Sequence, residues 1–283
     1  MPVLTSQREI ERIATVALAE DGRLDITSQL TVPRRMKAGG AIEYRSGGIL
    51  SGLPYADEVA RSCGCRIEWT AGEGDTVFQG ASVGVVRGEL ADILRAERPL
   101  LNLLQRASGI ASATRTYVDA VQGTRTRILH TRKTAPGLRS LDIAAVIAGG
   151  GHAHRIDLSH EVMVKDNHWH ALSRSGNTLE TALAEGRKRG LKALYVEIES
   201  LEQLELACAA GASRLLIDNQ RPETVSTWAG LARERAAGIE IEATGGVTLL
   251  NVREYAEAGA DFISIGALTH SVTAADIAVE VEM

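Results

Sequence analysis

LYVEIESLEQLELACAAGASRLLIDN, residues 194–219, decides the fold. Leu194-Tyr195-Val196 and Leu215-Leu216-Ile217 are short apolar runs of strand composition, and Leu201 to Ala210 between them has helical character. A strand, a helix and a second strand in so short a run form the crossover unit of a parallel sheet. The rhythm continues on both sides. Strands are expected at Ile128-Leu129, Val162-Met163-Val164, Ile239-Glu240-Ile241 and Phe262-Ile263-Ser264-Ile265, with helices at Leu179 to Arg189 and Leu249 to Ala258. That many repeats favour a closed or nearly closed α/β barrel over an open sheet.

Upstream the pattern is different. Ser6-Gln7-Arg8-Glu9 has the capping-box form, and Ile10, Ile13, Ala14 and Ala17 follow at helical spacing, so a helix to about Ala19 is expected. From Lys37 to Val86, β-like segments alternate with glycine-rich turns: Ala41–Tyr44, Arg66–Trp69 and Ser82–Val86 as strands, with a short helix at Ala56 to Arg61. This half is a small α+β domain. Ala91 to Val121 is helical in composition and links the halves, with Pro99 and Gly109 expected to divide or kink it.

The chain's 283 residues suffice for one large or two modest domains. A net charge of -5 excludes nucleic-acid binding by bulk charge, so any cationic site is local. No apolar run reaches the roughly 18 residues of a membrane span, and Met1 to Gln7 lacks a charged and then hydrophobic leader, which points to a cytoplasmic protein. Cys63, Cys65 and Cys208 are odd in number and make no disulfide framework; buried thiols are expected.

In such barrels chemistry gathers at the carboxyl ends of the strands. That rule selects Arg132 and Lys133, Lys165, Glu197 and Glu199, Asp218 and Asn219, Glu242, and Gly266. Arg155 adds another cation, and six of the seven histidines fall between His130 and His170. Arginine offers a planar fork to carboxylates and lysine a mobile point charge, so the mixture suits a small molecule with several acidic groups. Glu197 and Asp218 end neighbouring strands and should converge, either to pair with Lys165 or to hold Mg²⁺ and ribose hydroxyls beside a phosphate. Thr244-Gly245-Gly246 and Gly266-Ala267 follow the last two strands, where glycine turns and helix N-termini bind phosphate. The histidine spacings match no zinc pattern. His154, beside Arg155, is either a donor to an anionic ligand or a satisfied structural histidine.

Collinear motifs cover nearly the whole chain: Leu18-x-Glu20-Asp21, Glu97-Arg98, Leu103-Leu104-Gln105-Arg106-x-Ser108-Gly109, Thr131-Arg132-Lys133-Thr134-x-Pro136-Gly137-Leu138-Arg139, Gly149-Gly150-Gly151-x-x-His154-Arg155, Lys165-Asp166-Asn167-His168, Val196-Glu197-Ile198-Glu199, Asp218-Asn219, Thr244-Gly245-Gly246 and Gly266-Ala267-Leu268-Thr269-His270-Ser271. Together they resemble the quinolinate phosphoribosyltransferases, the decarboxylating enzymes of NAD synthesis. The resemblance implies an N-terminal α/β sandwich (residues 1–108, with a C-terminal return at 272–283) and an incomplete, open α/β barrel (109–271). It also implies Mg²⁺-dependent transfer from phosphoribosyl pyrophosphate to a pyridine dicarboxylate, giving nicotinate mononucleotide, pyrophosphate and CO₂, in a homodimer that shares Arg98 across its interface. By analogy, Arg132, His154, Arg155, Lys133 and Lys165 hold the acid. Glu197 and Asp218 engage the metal and ribose, and Thr244, Gly245, Gly246, Gly266 and His270 hold the 5′-phosphate. The chain departs from the family pattern at His130 for aspartate, Ala153 for asparagine, Ile147 for arginine and Ala144 for an aromatic residue. These changes surround the acid-binding end, and leave open another heteroaromatic acid or a non-catalytic relative that binds a phosphorylated ligand.

Overall fold

The computed structural model describes residues 6–159 and 161–282; Met1–Thr5, most of the stretch read for a leader, lie outside it, as do His160 and Met283. Ser6 accepts the Glu9 N–H at its Oγ, and the capped helix Gln7–Glu20 buries Ile10, Ile13 and Ala14. Strand β1 (Lys37–Tyr44) buries Gly40, Ile42 and Tyr44 at every second position, the pattern of a sheet with one covered face. A short β2 (Gly48–Ile49), β3 (Arg66–Trp69), β4 (Thr76–Val77) and β5 (Ala81–Glu89) follow. Helix Leu53–Ser62, longer than expected by a few residues, buries Tyr55, Ala56 and Val59.

Helix Leu90–Ala120 runs unbroken for 31 residues, against the expectation of a division at Pro99 or Gly109. Burial explains the difference: Leu100, Leu101, Leu104, Ala107, Ile110 and Ala111 are all fully covered, and packing on that scale outweighs the roughly 3 kcal/mol that an internal proline costs. Gly109 has a separate reason. A Cβ there would collide with the Thr273 carbonyl oxygen, so glycine lets the C-terminal segment cross the helix at backbone distance.

The remaining strands are β6 (Arg127–Leu129), β7 (Val162–Val164), β8 (Leu194–Ile198), β9 (Arg214–Asp218), β10 (Glu240–Thr244), β11 (Phe262–Ser264) and β12 (Ile277–Glu282). The last of these pairs antiparallel with β1, so the first sheet has the order β12-β1-β5-β3. The other six form a parallel sheet ordered β6-β11-β10-β9-β8-β7. Each strand lies beside its successor except that β6 joins β11, while among the described residues no ladder joins β6 to β7. The result is an α/β barrel left open at one seam, where Leu129 makes only an isolated bridge to His152. Two compact units result: one comprises the residues up to Arg115, Lys133–Gly151 and those from Ala267; the other comprises Thr116–Arg132 and His152–Gly266. The whole six-stranded sheet belongs to the second. No helix among the described residues is long and apolar enough to cross a membrane, and all three cysteines are free and buried.

Replacing Gly109 by alanine weighs a helix-propensity gain of about 1 kcal/mol against an overpacking cost of about 1–3 kcal/mol. Because the obstructing atom is backbone, the cost should win. Gly109→Ala should lower the urea midpoint and speed amide exchange in β12 and β1; unchanged exchange there would contradict the close crossing.

Candidate functional site

Parallel strands deliver their carboxyl ends to one side, and the register sets which side chains arrive there. Thr244 stands opposite Asp218 on one flank and Ser264 on the other, and Glu197 opposite Leu216. Lys165 follows β7, and its Nζ is ion-paired with Glu197 Oε2. The backbone N–H of Lys165 donates to His168 Nδ1 (3.0 Å), and Trp169 Nε1 donates to the Glu197 carbonyl (2.8 Å). The Lys165-Asp166-Asn167-His168 run is thus a helix start in which His168 acts as a cap and fixes the departure of Lys165.

Asp218 is pushed above the usual carboxylate range, first by burial and then by the negative charge of Glu197; Lys165 and the Asn219 amide, 2.7 Å away, oppose the shift. Glu197 and Asp218 lie on adjacent strands, Glu197 level with Leu216 two residues before Asp218. Asn219 adopts a left-handed φ of 53°, and a side chain at Gly245 (φ 77°) would collide with its amide oxygen. Glycine at 245 is required twice over, by conformation and by space. The turn leaves Gly246 exposed, and the following helix begins only at Val252, so any backbone donors for phosphate come from the glycine turn itself and not from a helix end.

The cations gather at the other end of the strand sequence. Arg132 has its Nε buried without a hydrogen-bond partner among the described residues. Arg155, half-buried, is pulled below the usual guanidinium range by burial and then by the charge of Arg132. Two guanidiniums close enough to repel, one with an unsatisfied donor, favour an anionic acceptor, because a buried donor left unpaired costs about 1–3 kcal/mol.

One expectation changes, and it involves the neighbours of His154. His154, read as a donor to a ligand or as a structural histidine, is hydrogen-bonded within the barrel unit. Its Nε2 lies 3.2 Å from Glu242 Oε2, its Nδ1 accepts the Arg155 N–H (2.6 Å), and Tyr195 meets its ring edge-on. Both ring nitrogens are engaged, and Nδ1 fixes the backbone at Arg155. Glu242, selected by the strand-end rule, lies instead inside the barrel, fully buried. Burial alone would raise its pKa, but His154 and Arg214 together hold it below the usual range. Arg214 Nη1 donates to Glu242 (3.1 Å) and its Nη2 pairs with Glu240 (2.8 Å), while its guanidinium stacks on Phe262 and Tyr195. Sequence reading missed Arg214; its parity with Leu216 and Asp218 on β9 was the available signal. His130 is fully buried, accepts the His154 N–H at Nε2 (2.9 Å) and faces the Thr131 carbonyl with Nδ1 (3.1 Å).

The other unit carries the remaining candidates. Arg98 has a side chain 59% exposed, with Glu97 at 3.9 Å its only ion-pair partner among the described residues. Lys133 is exposed, and its carbonyl accepts the Thr269 hydroxyl (2.8 Å). His270 is exposed, with Nδ1 2.6 Å from Ser271 Oγ. Glu199, in the barrel unit, is exposed, and its backbone N–H is bonded to Gln203, so it belongs to a helix cap. Among the described residues no group of three or more His, Cys, Asp or Glu side chains is arranged around a metal. Glu197 and Asp218, two hard oxygen donors that repel one another, fit a Mg²⁺ shared with ligand oxygens and not a closed protein cage.

Comparison with known proteins agrees with this geometry. Family models for the quinolinate phosphoribosyl transferase N-terminal and C-terminal domains match residues 25–108 and 110–280. A nicotinate-nucleotide pyrophosphorylase [carboxylating] of Mycobacterium leprae is 38% identical over 271 residues, covering 93% of this chain and 94% of that protein. A probable nicotinate-nucleotide pyrophosphorylase [carboxylating] of Bacillus subtilis is 41% identical over 269 residues, covering 94% and 91%. Among solved structures, the nicotinate-nucleotide pyrophosphorylase of Francisella tularensis superposes with a TM-score of 0.89 at 31% identity, covering 98% of each chain. With both of its domains matched in order, the chain belongs to the quinolinate phosphoribosyltransferase family.

Proposed function

We propose that this protein transfers a phosphoribosyl group from phosphoribosyl pyrophosphate to quinolinate and releases CO₂, forming nicotinate mononucleotide and pyrophosphate. The observation that carries the reading is the Arg132–Arg155 pair, mutually repelling and with a buried Arg132 donor unpaired, in the same unit as the Lys165–Glu197–Asp218 cluster. Such a site favours an acceptor with more than one carboxylate beside a sugar phosphate.

Arg132, Arg155 and Lys165 take the carboxylates of the pyridine, with His154 and His130 positioning Arg155 through hydrogen bonds. Lys133 and His270 belong to the other unit and are carried to the acid and the 5′-phosphate by the family resemblance alone. Thr244, Gly245, Gly246 and Gly266 supply hydroxyl and backbone donors to that phosphate. Glu197 and Asp218 hold the ribose and Mg²⁺, which neutralises pyrophosphate charge when bound. The ring nitrogen attacks the anomeric carbon as its bond to pyrophosphate breaks, and the two carboxylates stabilise the positive charge that develops on the sugar. Loss of the 2-carboxylate as CO₂ leaves an electron pair at that ring carbon, which takes a proton; the positively charged ring nitrogen and the lysines stabilise the intermediate. The protein's share is positioning and electrostatics. We further place Arg98 in the site of a second copy of the chain, in a cytoplasmic homodimer.

Pure protein given phosphoribosyl pyrophosphate, Mg²⁺ and quinolinate should release pyrophosphate and CO₂ in equal amounts. Pyrophosphate without CO₂ from another acid would replace quinolinate as the acceptor, and neither product from any pyridine acid would sink catalysis. Arg132→Ala should cut kcat/KM for quinolinate by roughly 100-fold, with KM for phosphoribosyl pyrophosphate little changed, since a charged hydrogen-bond pair contributes about 1.5–3 kcal/mol. Arg98→Ala should be inactive yet regain activity when mixed with an inactive Lys133→Ala chain; no regain would refute the shared site.

Asp218→Asn should be inactive and more stable at neutral pH. The folded carboxyl is raised above its ordinary value, so folded Asp218 holds its proton more tightly than the unfolded chain does, and stability falls as pH rises between those two values. Asparagine removes that loss. A gain in Tm at pH 7 that shrinks as the pH falls through the ordinary carboxylate range is expected from thermal melts; a lower Tm at pH 7 would contradict the assignment.

A further inference from the structure

Four hydrogen-bonded links join two segments to which the proposed function gives different ligands. Asp142, on helix Arg139–Ala148, has a fully buried side chain. Arg106 forks onto it, Nε to Oδ1 at 2.7 Å and Nη2 to Oδ2 at 2.8 Å. The same Nη2 donates to the Thr269 carbonyl at 3.0 Å, in the turn that carries His270. Thr269, itself buried, donates its hydroxyl to the Lys133 carbonyl at 2.8 Å. The circuit closes through the Ala135 N–H, which donates to Asp142 Oδ2 at 3.1 Å. Every member belongs to one compact unit.

Stability alone is a weak reason for such a pair, because buried ion pairs are often replaced by apolar side chains without loss. Geometry is the better reason. Arginine's planar fork serves Asp142 with two donors and Thr269 with one, a three-way bond that a lysine ammonium with its single nitrogen does not reproduce. The Lys133 segment and the Thr269–His270 turn therefore hold one another at fixed spacing.

We propose that Arg106 and Asp142 are positioning residues that couple the acid-binding Lys133 segment to the phosphate-binding Ala267–His270 turn, so that occupation of one tightens the other. The inference rests on the roles given above to Lys133 and His270. Because the circuit ties the two segments together, a shift of one on binding its ligand is passed to the other.

Calorimetric titration with quinolinate, in the absence and presence of saturating ribose 5-phosphate, reads the coupling directly. For the unaltered protein the dissociation constant for quinolinate should fall by about 10-fold when the sugar phosphate is present. In Arg106→Lys that factor should approach 1. Thr269→Val, which keeps the side chain's shape and removes the hydroxyl that bonds the Lys133 carbonyl, should lower it part of the way. A variant that merely weakened the fold would lose thermal stability and keep the factor. Binding of both ligands without coupling in the unaltered protein, or full coupling in folded Arg106→Lys or Thr269→Val, overturns the proposal. Failure of the unaltered protein to bind either ligand overturns the functional reading as well, and so separates the two.

Discussion

A carboxylate sealed inside a barrel has to be matched by positive charge, and much of the acid-binding geometry follows from how Glu242 is matched. An ionised carboxyl group without partners costs far more in a protein interior than a folded domain has to spare. Glu242 is answered by the charge of the Arg214 guanidinium and by a hydrogen bond from His154 Nε2. Arg214 in turn is held by Glu240 and by the faces of Phe262 and Tyr195, which accommodate a planar cation without adding charge. His154, once committed to Glu242 through Nε2, has Nδ1 left for the Arg155 backbone. His130 takes the His154 N–H. The path of the chain into Arg155 is thus set by a chain of hydrogen bonds that starts at a buried charge.

The strand ends show the opposite condition. Inside the barrel Arg214 stands between Glu240 and Glu242, whereas at the carboxyl ends like charges stand near like. Burial and then Arg132 depress Arg155, and burial and then Glu197 raise Asp218. Lys165 is ion-paired with Glu197 and offsets part of that repulsion. Arrangements of this kind reduce folding stability and persist where a ligand of matching charge is bound.

The barrel was legible because its signal is periodic: apolar runs with Gly-rich or polar joints recur at a spacing only a parallel sheet uses, and the strand-end rule then selected Arg132, Lys165, Glu197 and Asp218 unaided. The same rule misplaced Glu242 for a physical reason. The sequence suggests a strand at Ile239–Ile241, but pairing with β9 and β11 carries it to Thr244, so Glu242 keeps its inward direction and sits two residues deeper. Unbroken passage through Pro99 was likewise hidden, since local propensity is visible in a sequence and the covering of Leu100 to Ala111 is not. Arg106 and Asp142 lie 36 positions apart on two helices, and no periodicity announces such a contact.

His130 illustrates why a departure from a family pattern need not break a site. The task at that position is to accept the His154 N–H from within a buried pocket, and an acceptor lone pair is all the hydrogen bond requires. A neutral imidazole with its proton on Nδ1, directed at the Thr131 carbonyl, presents that lone pair at Nε2. An aspartate would satisfy the same N–H and also bring a negative charge into the segment that leads to Arg132. The ring leaves that charge out. The hydrogen bond, and with it the course of the chain into Arg155, is kept, and no further negative charge is added to those of Glu161, Glu197 and Glu242, which already act on Arg155.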